Sequence, residues 1–439
     1  MRYDDQRVLV LGAARSGRAA ARLLLARGAH VWVYDRDPAR SADLPQGIEQ
    51  LHGPSLPSFD GFDRVVQSPG VPVASHLRLI PEVDLAAVEL QGPLIGVTGT
   101  NGKSTTSMLI GEMLRQSGAS IAVGGNLGTP LCDLVDEKLD WLVAELSSFQ
   151  LEHARAVRAR VAVLLNLTPD HLDRHGSLDA YGRAKARLAE LQDSEGVLVA
   201  NADDAWACSV AERSAARVLF FSTRAAERSS AFMDGQELVL SGPGLPELRV
   251  HHDALSRASR TPVDNALAAA LTAAACGASQ SAIRTVLTGF EGLPHRGALV
   301  CTRRGVRFVD DSKATNPAAA ARSLAAQPAP IVWIAGGRNK GLDLGELAAA
   351  ARGVRAVLLI GEAADELAAA LAGATDVVRL ETLDQAVPEA ARRAGPGGSV
   401  LLAPACTSLD QFASFEARGA RFAELARALP DVSGEDEPC

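Results

Sequence analysis

The residues most able to do chemistry lie in a glycine-rich turn at 94–106, between a predicted strand and a predicted helix. Backbone N–H groups of such a turn converge on anionic oxygens, and the helix that follows presents its positive N-terminus to them. Lys103 adds a mobile cation, and the Ser104 hydroxyl is placed to ligate magnesium. Val97 occupies the position of the first glycine in the strict phosphate-loop template, so the turn is a variant. We predict that it binds a nucleoside triphosphate through Gly99, Thr100, Asn101, Gly102, Lys103, Ser104 and Thr105.

A metal ion beside a phosphate loop needs a further carboxylate, and Glu145 is the candidate. It ends the predicted strand that begins at Trp141, and the carboxyl ends of strands meet the ligand in an open α/β sheet. The alternative interpretation is an acid exposed to solvent at the end of a strand.

The loop after the next predicted strand carries Asp170, His171 and Asp173. Thr168 and Pro169 before them are also an ordinary helix start, in which the two acids would only favour the helix dipole. His171 is equally compatible with a metal ligand and with a histidine that caps a helix.

A second glycine-rich turn, from Gly12 to Gly17, follows the first predicted strand and is similar to a dinucleotide-binding fingerprint. Ala14 replaces the middle glycine of that fingerprint, and the next strand ends in Asp35, a residue type that binds ribose in such sites. We predict a Rossmann-type domain that binds some nucleotide at this turn. A purely structural βαβ unit and a solvated Asp35 are the alternatives.

Three predicted strand ends in the last third of the chain carry polar clusters, at 310–317, 336–340 and 404–412. In a doubly wound domain such loops emerge along the carboxyl edge of the sheet, where ligands bind. Lys313 and Lys340 in these loops favour an anionic ligand, although each lysine alone could be solvated surface. The three clusters together predict a binding site.

These candidate residues are positioned by short apolar strands that alternate with alanine-rich stretches of helical period. That alternation is typical of an α/β fold with mostly parallel sheets. The predicted strands are more than one ordinary sheet holds, and they lie at 7–11, 30–34, 94–98, 141–144, 161–165, 196–200, 306–309, 331–335, 354–360 and 399–403. The segment 220–252 alternates in shorter runs with Gly and Pro turns, which predicts an antiparallel edge.

The length of 439 residues predicts roughly three domains, at about 150 residues each. Gly and Pro interrupt the alternation at 91–93 and again at 292–297. We therefore predict a Rossmann-like domain at 1–90, a central phosphate-loop domain with a mostly parallel sheet at 91–293, and a second Rossmann-like domain at 294–439.

Charge and composition exclude several classes of protein. The chain has 44 Lys and Arg against 52 Asp and Glu, a net charge of −8 without a basic block, and 4% aromatic residues. Nucleic acid is therefore disfavoured as a main partner. The N-terminus does not match a signal peptide and no apolar run is long enough for a membrane span, so we predict a cytosolic protein without a membrane partner. Six widely spaced cysteines indicate reduced thiols rather than a zinc site or a disulfide framework.

Seven motifs resemble those of the Mur ligases, in the same order and over nearly the whole chain. They lie at 99–105, 145–152, 166–173, 181–185, 293–296, 311–316 and 405–415. The resemblance implies a three-domain α/β fold and ATP-dependent formation of an amide bond in peptidoglycan precursor synthesis. The Ser-Leu-Asp-Gln-Phe sequence at 408–412 resembles the members that add D-glutamate to UDP-N-acetylmuramoyl-L-alanine.

The resemblance implies that the substrate carboxylate attacks the γ-phosphate of ATP, and that the amine of D-glutamate then attacks the acyl phosphate. Phosphoryl transfer depends mainly on positioning and on neutralising charge, for which Lys103 and metal ions are suited. The family likeness places one Mg²⁺ near Ser104 and Glu145 and a second near His171 and a carbamylated Lys185. Without the family, Lys185 would be only a lysine on a helix surface.

The remaining site residues follow from the same resemblance. It assigns the UDP-sugar to Arg15, Ser16, Gly17, Asp35 and Asn126. It assigns adenine and ribose contacts to Asn265, Arg296 and Asp311, and D-glutamate to Lys313, Thr315, Lys340, Ser408 and Phe415. Two positions depart from the family: Ala14 replaces a glycine, and 259–265 lacks the Gly-x-His-Asn pattern, so only Asn265 is carried over there.

Other functions stay open at this stage. A sister Mur ligase or a folylpolyglutamate-type ligase would use another acceptor. A nicotinamide-dependent oxidoreductase would use the turn from Gly12 to Asp35, but it leaves the phosphate loop unexplained. A phosphate-loop switch or assembly ATPase would hydrolyse ATP slowly without small substrates. We predict that the chain is a monomer.

Overall fold

The computed structural model describes residues 3–73, 76–224, 228–255 and 261–429. The chain divides into two compact units. The first unit comprises Met1–Leu167, Asp179–Leu255 and Pro262–Gly289, and the second comprises Thr168–Leu178, Ser256–Thr261 and Phe290–Cys439. Each of the ten predicted strands is present, with ends that differ from the predicted ones by two residues at most.

The first sheet holds five parallel strands in the order β3-β2-β1-β4-β5. Its elements are β1 Arg7–Leu11, α1 Arg15–Ala26, β2 His30–Tyr34, a 3₁₀ helix Pro38–Ser41, β3 Ile48–Leu51, β4 Arg64–Gln67, β5 Leu79–Pro81 and α2 Glu82–Ala87. The order reverses at β1, so the turn after Leu11 opens at the edge where α/β sheets bind ligands.

The second sheet has the order β14-β13-β12-β11-β10-β9-β6-β8-β7, so the order reverses beside β6. The first elements are β6 Leu94–Thr98, α3 Lys103–Gln116, β7 Ile121–Gly125, a 3₁₀ helix Leu131–Asp133, β8 Trp141–Glu145, α4 Ser148–Leu151, β9 Val161–Leu164, α5 Leu172–His175 and α6 Leu178–Glu190. Next come β10 Val197–Asn201, α7 Ala205–Ala211, β11 Arg217–Ser222, β12 Ser229–Asp234, β13 Glu237–Leu240, β14 Leu248–His251, a 3₁₀ helix His252–Ala254, α8 Val263–Ala275 and α9 Gln280–Gly289. The strands from β12 to β14 pair antiparallel, which confirms the predicted edge at 220–252.

The third sheet lies in the second unit and has the order β15-β16-β20-β17-β18-β19. Its elements are β15 Ala298–Arg303, β16 Val306–Asp310, α10 Pro317–Ala325, β17 Ile331–Gly336, α11 Leu347–Ala350, β18 Ala356–Ile360, α12 Ala364–Ala370, β19 Val377–Arg379, α13 Leu383–Ala394, β20 Ser399–Ala405 and α14 Phe415–Ala428. Only the β15–β16 pair is antiparallel among the described strands of this sheet. Each sheet lies within one predicted domain, while the domain boundaries stay a prediction.

One apolar cluster runs under both sheets of the first unit. It contains residues from β1, α1 and α2 as well as from β8, β9 and the 3₁₀ helix Leu131–Asp133. Helix α2 packs against that 3₁₀ helix, and the carboxylate of Asp84 accepts backbone N–H bonds from Arg155 and Ala156 at 2.7 and 2.9 Å. The two layers of the first unit are therefore joined by packing as well as by the chain.

A carboxyl group is buried at this junction. Glu82 is 1% exposed, and among the described residues neither of its carboxyl oxygens has a hydrogen-bond partner. The Cys132 thiol lies beside it, with Sγ 3.7 Å from the Glu82 carbonyl oxygen. Burial raises the pKa of Glu82 from 4.5 to about 7.

The third sheet is covered by apolar clusters on both faces, as expected for a parallel α/β sheet. Trp333 on β17 is fully buried, and its indole N–H donates to the Ala403 carbonyl at 2.7 Å. In the part of the chain that the structure describes, none of the helices has the length and apolar character needed to cross a membrane.

Candidate active site

The phosphate loop connects strand β6 to helix α3, as the sequence predicts. Gly102 precedes the helix with φ of 86°, a left-handed conformation that favours glycine. A Cβ atom at Gly102 would lie 2.2 Å from Oδ1 of Asn265, so the close approach itself excludes a side chain. The backbone N–H of Thr100 donates to the Asn166 carbonyl at 2.9 Å, which ties the loop to the end of β9.

Lys103 folds its side chain back over this loop. Its Nζ donates to the carbonyls of Gly99 and Thr100, both at 2.8 Å. The ammonium group is therefore held beside the backbone N–H groups at the start of α3. This arrangement favours a polyphosphate.

Glu145 is buried against the phosphate loop. It is 3% exposed, the Ser104 hydroxyl donates to its Oε2, and the Asn126 amide donates to its Oε1 at 2.5 Å. The interpretation as a solvent-exposed strand end is therefore wrong, because β8 lies beside β6 in the sheet with Glu145 opposite Val97. Asn126, which the resemblance assigned to the UDP-sugar, contacts the predicted metal ligand.

Lys185 is 1% exposed, so the interpretation as a helix-surface lysine is wrong. It lies on the buried face of α6 together with Tyr181 and Leu188, at helical spacings of four and three residues. Its Nζ donates to the Gly99 carbonyl at 2.8 Å and lies 4.5 Å from the centre of the Tyr181 ring. The lysine thus reaches the same loop as Lys103.

Asn265 lies in the first turn of α8 and is 3% exposed. Its Oδ1 is buried and has no hydrogen-bond partner among the described residues. A buried amide oxygen of this kind is costly unless a ligand supplies a donor. Of the sequence segment that departs from the family pattern, residues 259 and 260 lie outside the described residues.

The turn after β1 borders a cavity of about 240 Å³. Four of the five residues predicted for the UDP-sugar line it: Arg15, Ser16, Asp35 and Asn126. The full lining is Gly12, Ala14, Arg15, Ser16, Asp35, Arg40, Ser68, Pro69, Gly70, Val71, Gly125, Asn126, Pro130 and Gln150. Gly17 does not line it; a Cβ there would lie 1.8 Å from the Gly12 carbonyl oxygen, so Gly17 allows α1 to pack under the turn. Four of the five predicted residues therefore share one cavity.

Asp35 is 7% exposed, so the interpretation as a solvated strand terminus is wrong. Its carboxylate accepts the backbone N–H of Ala13 at 2.7 Å and that of Asp37 at 3.0 Å. The side chain thus joins the glycine-rich turn to the segment after β2 while it borders the cavity.

The loop that carries Asp170 and His171 lies in the second unit. Asp170 is buried, forms an ion pair with Lys340 and accepts the Asn316 amide at 3.1 Å. Burial alone would raise the pKa of Asp170, but the charges of Lys340 and His171 hold it below its ordinary value. The alternative interpretation of Lys340 as a solvated surface residue is also wrong, because its side chain is 14% exposed and is paired with Asp170.

The predicted helix start at Thr168 and Pro169 is also wrong. Helix α5 begins at Leu172, and His171 precedes it with a φ of 52°. The His171 side chain makes no capping hydrogen bond, so its role as a metal ligand stays a prediction. Asp173 does lie in the first turn of α5, where an acid favours the helix dipole.

Asp311 and Arg296, two of the three residues predicted to contact adenine and ribose, lie close together in the second unit. Burial raises the pKa of Asp311 from 3.8 to about 6, and the Arg296 charge opposes that rise. Both residues come from motifs of the sequence analysis, and the fold brings them together at the end of β16.

The predicted D-glutamate residues surround the ends of β16, β17 and β20. Lys313 Nζ lies 4.1 Å from the centre of the Phe415 ring, and the Thr315 N–H donates to the Lys313 carbonyl at 2.8 Å. Ser408 is buried in the loop after β20. All of them except Phe415, the first residue of α14, belong to the three polar clusters at 310–317, 336–340 and 404–412.

Sequence reasoning missed Arg418, a buried residue in the first turn of α14. Its guanidinium donates to the Ser312 hydroxyl and carbonyl at 3.0 and 2.9 Å, to the Cys406 carbonyl at 3.2 Å and to the Gly336 carbonyl at 3.4 Å. Burial lowers its pKa from 12.5 to about 10. One side chain therefore ties together the ends of β16, β17 and β20, although its sequence context showed only a charged residue on a helix.

Gln150 was also missed. Its Oε1 accepts both the N–H and the hydroxyl of Ser147 at 3.0 Å, in a capping box at the start of α4. A backbone N–H can only donate, so the amide nitrogen must be the atom turned away from Ser147. The capping-box spacing in the sequence was the signal that could have identified it.

The comparisons with known proteins agree with this geometry. The family description "Mur ligase middle domain" matches residues 97–273, and "Mur ligase, glutamate ligase domain" matches residues 295–406. A protein of Solibacter usitatus named UDP-N-acetylmuramoylalanine–D-glutamate ligase is 40% identical over 98% of this chain and 99% of its own length. A Myxococcus xanthus protein of the same name is 42% identical over 97% of this chain and 99% of its own length.

Solved structures show the same fold at low sequence identity. MurF from Acinetobacter baumannii has a TM-score of 0.63 at 20% identity, over 97% of this chain and 91% of its own. A pseudomurein peptide ligase type C from Methanothermus fervidus has a TM-score of 0.62 at 18% identity, over 96% of this chain and 99% of its own. Because full-length relatives are about 40% identical to it, the chain belongs to the Mur ligase family. Both of these relatives are named UDP-N-acetylmuramoylalanine–D-glutamate ligase.

Proposed function

We propose that the protein is an ATP-dependent ligase that joins D-glutamate to UDP-N-acetylmuramoyl-L-alanine in the synthesis of peptidoglycan precursors. One observation carries this proposal. Asn126 lines the cavity of the first sheet and also donates to Glu145, which contacts Ser104 of the phosphate loop. The Asn126–Glu145 contact thus joins the cavity of the first sheet to the phosphate loop, which supports a reaction between a ligand bound in the cavity and a ligand bound at the loop.

The first step that we propose is attack by the alanyl carboxylate on the γ-phosphorus of ATP. A P–O bond to the carboxylate forms, the bond to the β-phosphate oxygen breaks, and ADP leaves from an acyl phosphate. The backbone N–H groups at the start of α3 and the Lys103 ammonium hold the phosphates and stabilise the charge that moves onto the leaving oxygen. Positioning and charge compensation are what this step needs most.

The residues around Glu145 fit a hard divalent cation. The Ser104 hydroxyl and the Glu145 carboxylate are oxygen donors in direct contact, and Mg²⁺ commonly uses one or two such protein ligands, with phosphate oxygens and waters for the rest. The described residues contain no group of three or more His, Cys, Asp or Glu arranged around one metal position. When bound, Mg²⁺ neutralises charge on the phosphates.

Lys185 supports the proposal of a second, carbamate-assisted metal position. Its amine lies at the Gly99 carbonyl, so a carboxyl group added to Nζ would stand beside the phosphate loop. A carbamate replaces a cation by an oxygen ligand of the kind that Mg²⁺ prefers. His171 is the family's partner for that position, and it stays part of this proposal.

The second step that we propose is attack by the D-glutamate amine on the carbonyl carbon of the acyl phosphate, with loss of inorganic phosphate. The amino acid would be bound by Lys313, Thr315, Lys340, Ser408 and Phe415. Two lysines suit a substrate that carries two carboxylates. Asp170 beside Lys340 keeps that ammonium group in a fixed position.

The proposal includes three further statements. The domains are 1–90, 91–293 and 294–439, which the separate sheets and the matched ranges support. The protein works in the cytoplasm as a monomer. Its other ligands are ATP and Mg²⁺, with Arg296, Asp311 and Asn265 at the nucleoside.

A coupled assay of phosphate release tests this function. Phosphate should be released from ATP only when UDP-N-acetylmuramoyl-L-alanine and D-glutamate are both present, and Lys103→Ala should abolish turnover. Equal release with L-glutamate, or without the nucleotide sugar, would contradict the proposal. A panel of other amino acids and of folate acceptors separates it from sister ligases, and reduction of NAD(P) would instead support an oxidoreductase.

A further inference from the structure

The sequence Ser-Leu-Asp-Gln-Phe at 408–412 contains an acid, Asp410, that the proposed function leaves without a role. The segment forms a tight turn, in which the Ser408 carbonyl accepts the backbone N–H groups of Gln411 at 3.1 Å and of Phe412 at 2.8 Å. Ser408 at the start of the turn is 3% exposed and is one of the residues assigned to D-glutamate. Because these bonds close the turn, a contact that holds Asp410 also holds Ser408.

The Asp410 carboxylate joins this turn to the end of β18. Its Oδ2 accepts the backbone N–H of Glu362 at 3.1 Å. A Cβ atom at Gly361 would lie 2.2 Å from the same oxygen, so the close approach excludes a side chain there. Gly361 also has a φ of 72°, a left-handed conformation that favours glycine. The chain after β18 thus has the shape that admits the carboxylate.

A second link joins the turn to the loop after β17. Arg338 and Thr407 form an antiparallel bridge, in which each backbone N–H donates to the carbonyl of the other residue at 3.0 Å. Arg338 lies two residues before Lys340, and Thr407 lies immediately before Ser408. Two residues assigned to D-glutamate are therefore carried by loops that are bonded to each other, and Asp410 ties this pair of loops to the end of β18.

The charge of Asp410 argues against direct contact with the substrate. D-glutamate carries two carboxylates, and like charges at close range repel each other. The Asp410 charge acts on the buried Arg418 guanidinium instead: burial lowers the pKa of Arg418, and Asp410 opposes that lowering. The carboxylate of Asp410 thus interacts with the protein itself, through the Glu362 N–H and the Arg418 charge.

We propose that Asp410 is a positioning residue for the binding of D-glutamate. By accepting the Glu362 N–H, it holds the turn that carries Ser408 at a fixed place beside the end of β18. A hydrogen bond to a charged acceptor is stronger than one between neutral groups, which suits a residue that fixes a loop at the surface. The inference rests on the proposed function, because that function makes D-glutamate the substrate at these loops.

Steady-state kinetics of Asp410→Ala, Asp410→Asn and Asp365→Asn test this inference. Asp410→Ala should raise the KM for D-glutamate about fivefold, the effect of one lost hydrogen bond, while the KM for ATP and the KM for UDP-N-acetylmuramoyl-L-alanine stay unchanged. Asp410→Asn keeps an oxygen acceptor, so its KM for D-glutamate should lie within about twofold of the wild-type value. Asp365 is the matched control, because its side chain is 89% exposed in the first turn of α12, three residues after Glu362. Asp365→Asn should match the wild type.

The three KM values separate this role from a merely structural one. A variant that only contains fewer folded molecules has a lower apparent kcat and unchanged KM values, and that result for Asp410→Ala would overturn the inference. Equal rises in all three KM values, a rise in Asp410→Asn as large as in Asp410→Ala, or the same effect in Asp365→Asn would overturn it as well. Asp410→Ser is the second variant if Asp410→Ala does not fold. Its hydroxyl ends one bond short of the carboxylate oxygen, so it should show the same rise.

The behaviour of the wild type distinguishes a failure of this inference from a failure of the proposed function. If the wild type releases no phosphate with D-glutamate, the proposed function itself fails. If the wild type uses D-glutamate with the same KM as Asp410→Ala, only the positioning role of Asp410 fails.

Discussion

The buried carboxyl of Glu82 should make the stability of the first unit depend on pH. The change to test is Glu82→Gln, which keeps the shape of the side chain and removes its ionisation. Glu82 is 1% exposed at the junction of the two layers, and its carboxyl oxygens have no hydrogen-bond partner among the described residues. An ionised carboxylate there loses its hydration, and the interaction with Cys132 offsets only part of that cost.

The magnitude follows from the pKa. Burial raises the pKa of Glu82 to about 7 in the folded protein, against 4.5 as the ordinary value, and each pKa unit is worth about 1.4 kcal/mol. Because the folded-state pKa is raised, the destabilisation is absent below about pH 4.5, grows between about pH 4.5 and 7, and is complete above about pH 7. The wild type should therefore lose about 3 kcal/mol of unfolding free energy across that range relative to Glu82→Gln.

Urea unfolding at pH 5, 6, 7 and 8, followed by tryptophan fluorescence and circular dichroism, measures this difference. The amide adds an unmatched polar group of its own, so the quantity to compare is the change with pH and not the absolute stability. Glu137→Gln removes an exposed carboxylate from the segment after the 3₁₀ helix Leu131–Asp133 and should follow the wild type. Parallel profiles for the wild type and Glu82→Gln from pH 5 to 8 would refute the reasoning.

Three further substitutions test the site. Lys185→Ala should lose activity and recover part of it with short carboxylic acids in a phosphate-release assay; absence of any rescue would count against the carbamate. Arg418→Met should lower the unfolding free energy of the second unit by about 3–5 kcal/mol, because three carbonyls and the Ser312 hydroxyl lose their buried donor. It should also raise the KM for D-glutamate more than the KM for ATP. Equal unfolding free energies of the variant and the wild type would contradict this. Lys340→Met should abolish D-glutamate binding in calorimetry and leave Asp170 as an unpaired buried acid, so unchanged affinity would exclude that lysine from the site.

The strands and the phosphate loop could be predicted because their signals are local. Apolar runs of four to seven residues bounded by Gly, Asp or Asn mark β-strands, and the sequence from Gly99 to Thr105 is itself typical of a phosphate-binding turn. The switch from parallel to antiparallel pairing at 220–252 was visible for the same reason, since short alternating runs with Gly and Pro turns occupy it.

The burial of polar side chains could not be predicted, because their partners are distant in the sequence. The sequence around Lys185 indicates a surface lysine, because the Gly99 carbonyl to which its Nζ donates lies 86 residues earlier in the chain. Asp170 binds Lys340, 170 residues later, and the helix that Thr168 and Pro169 indicate begins only at Leu172. In each case a tertiary contact overrides a local preference.

The apolar cluster shared by the first two sheets bears on how this chain can be divided. A cut at Gln91–Pro93 would separate two sheets but would also split one core, and it would expose the inner faces of α2 and of the 3₁₀ helix Leu131–Asp133. A fragment that ends near residue 90 would thus expose an apolar surface to solvent, together with the carboxyl group of Glu82 that is buried in the intact chain. For limited proteolysis and for fragment expression, the smallest piece with a complete core is the pair of sheets and not the first sheet alone.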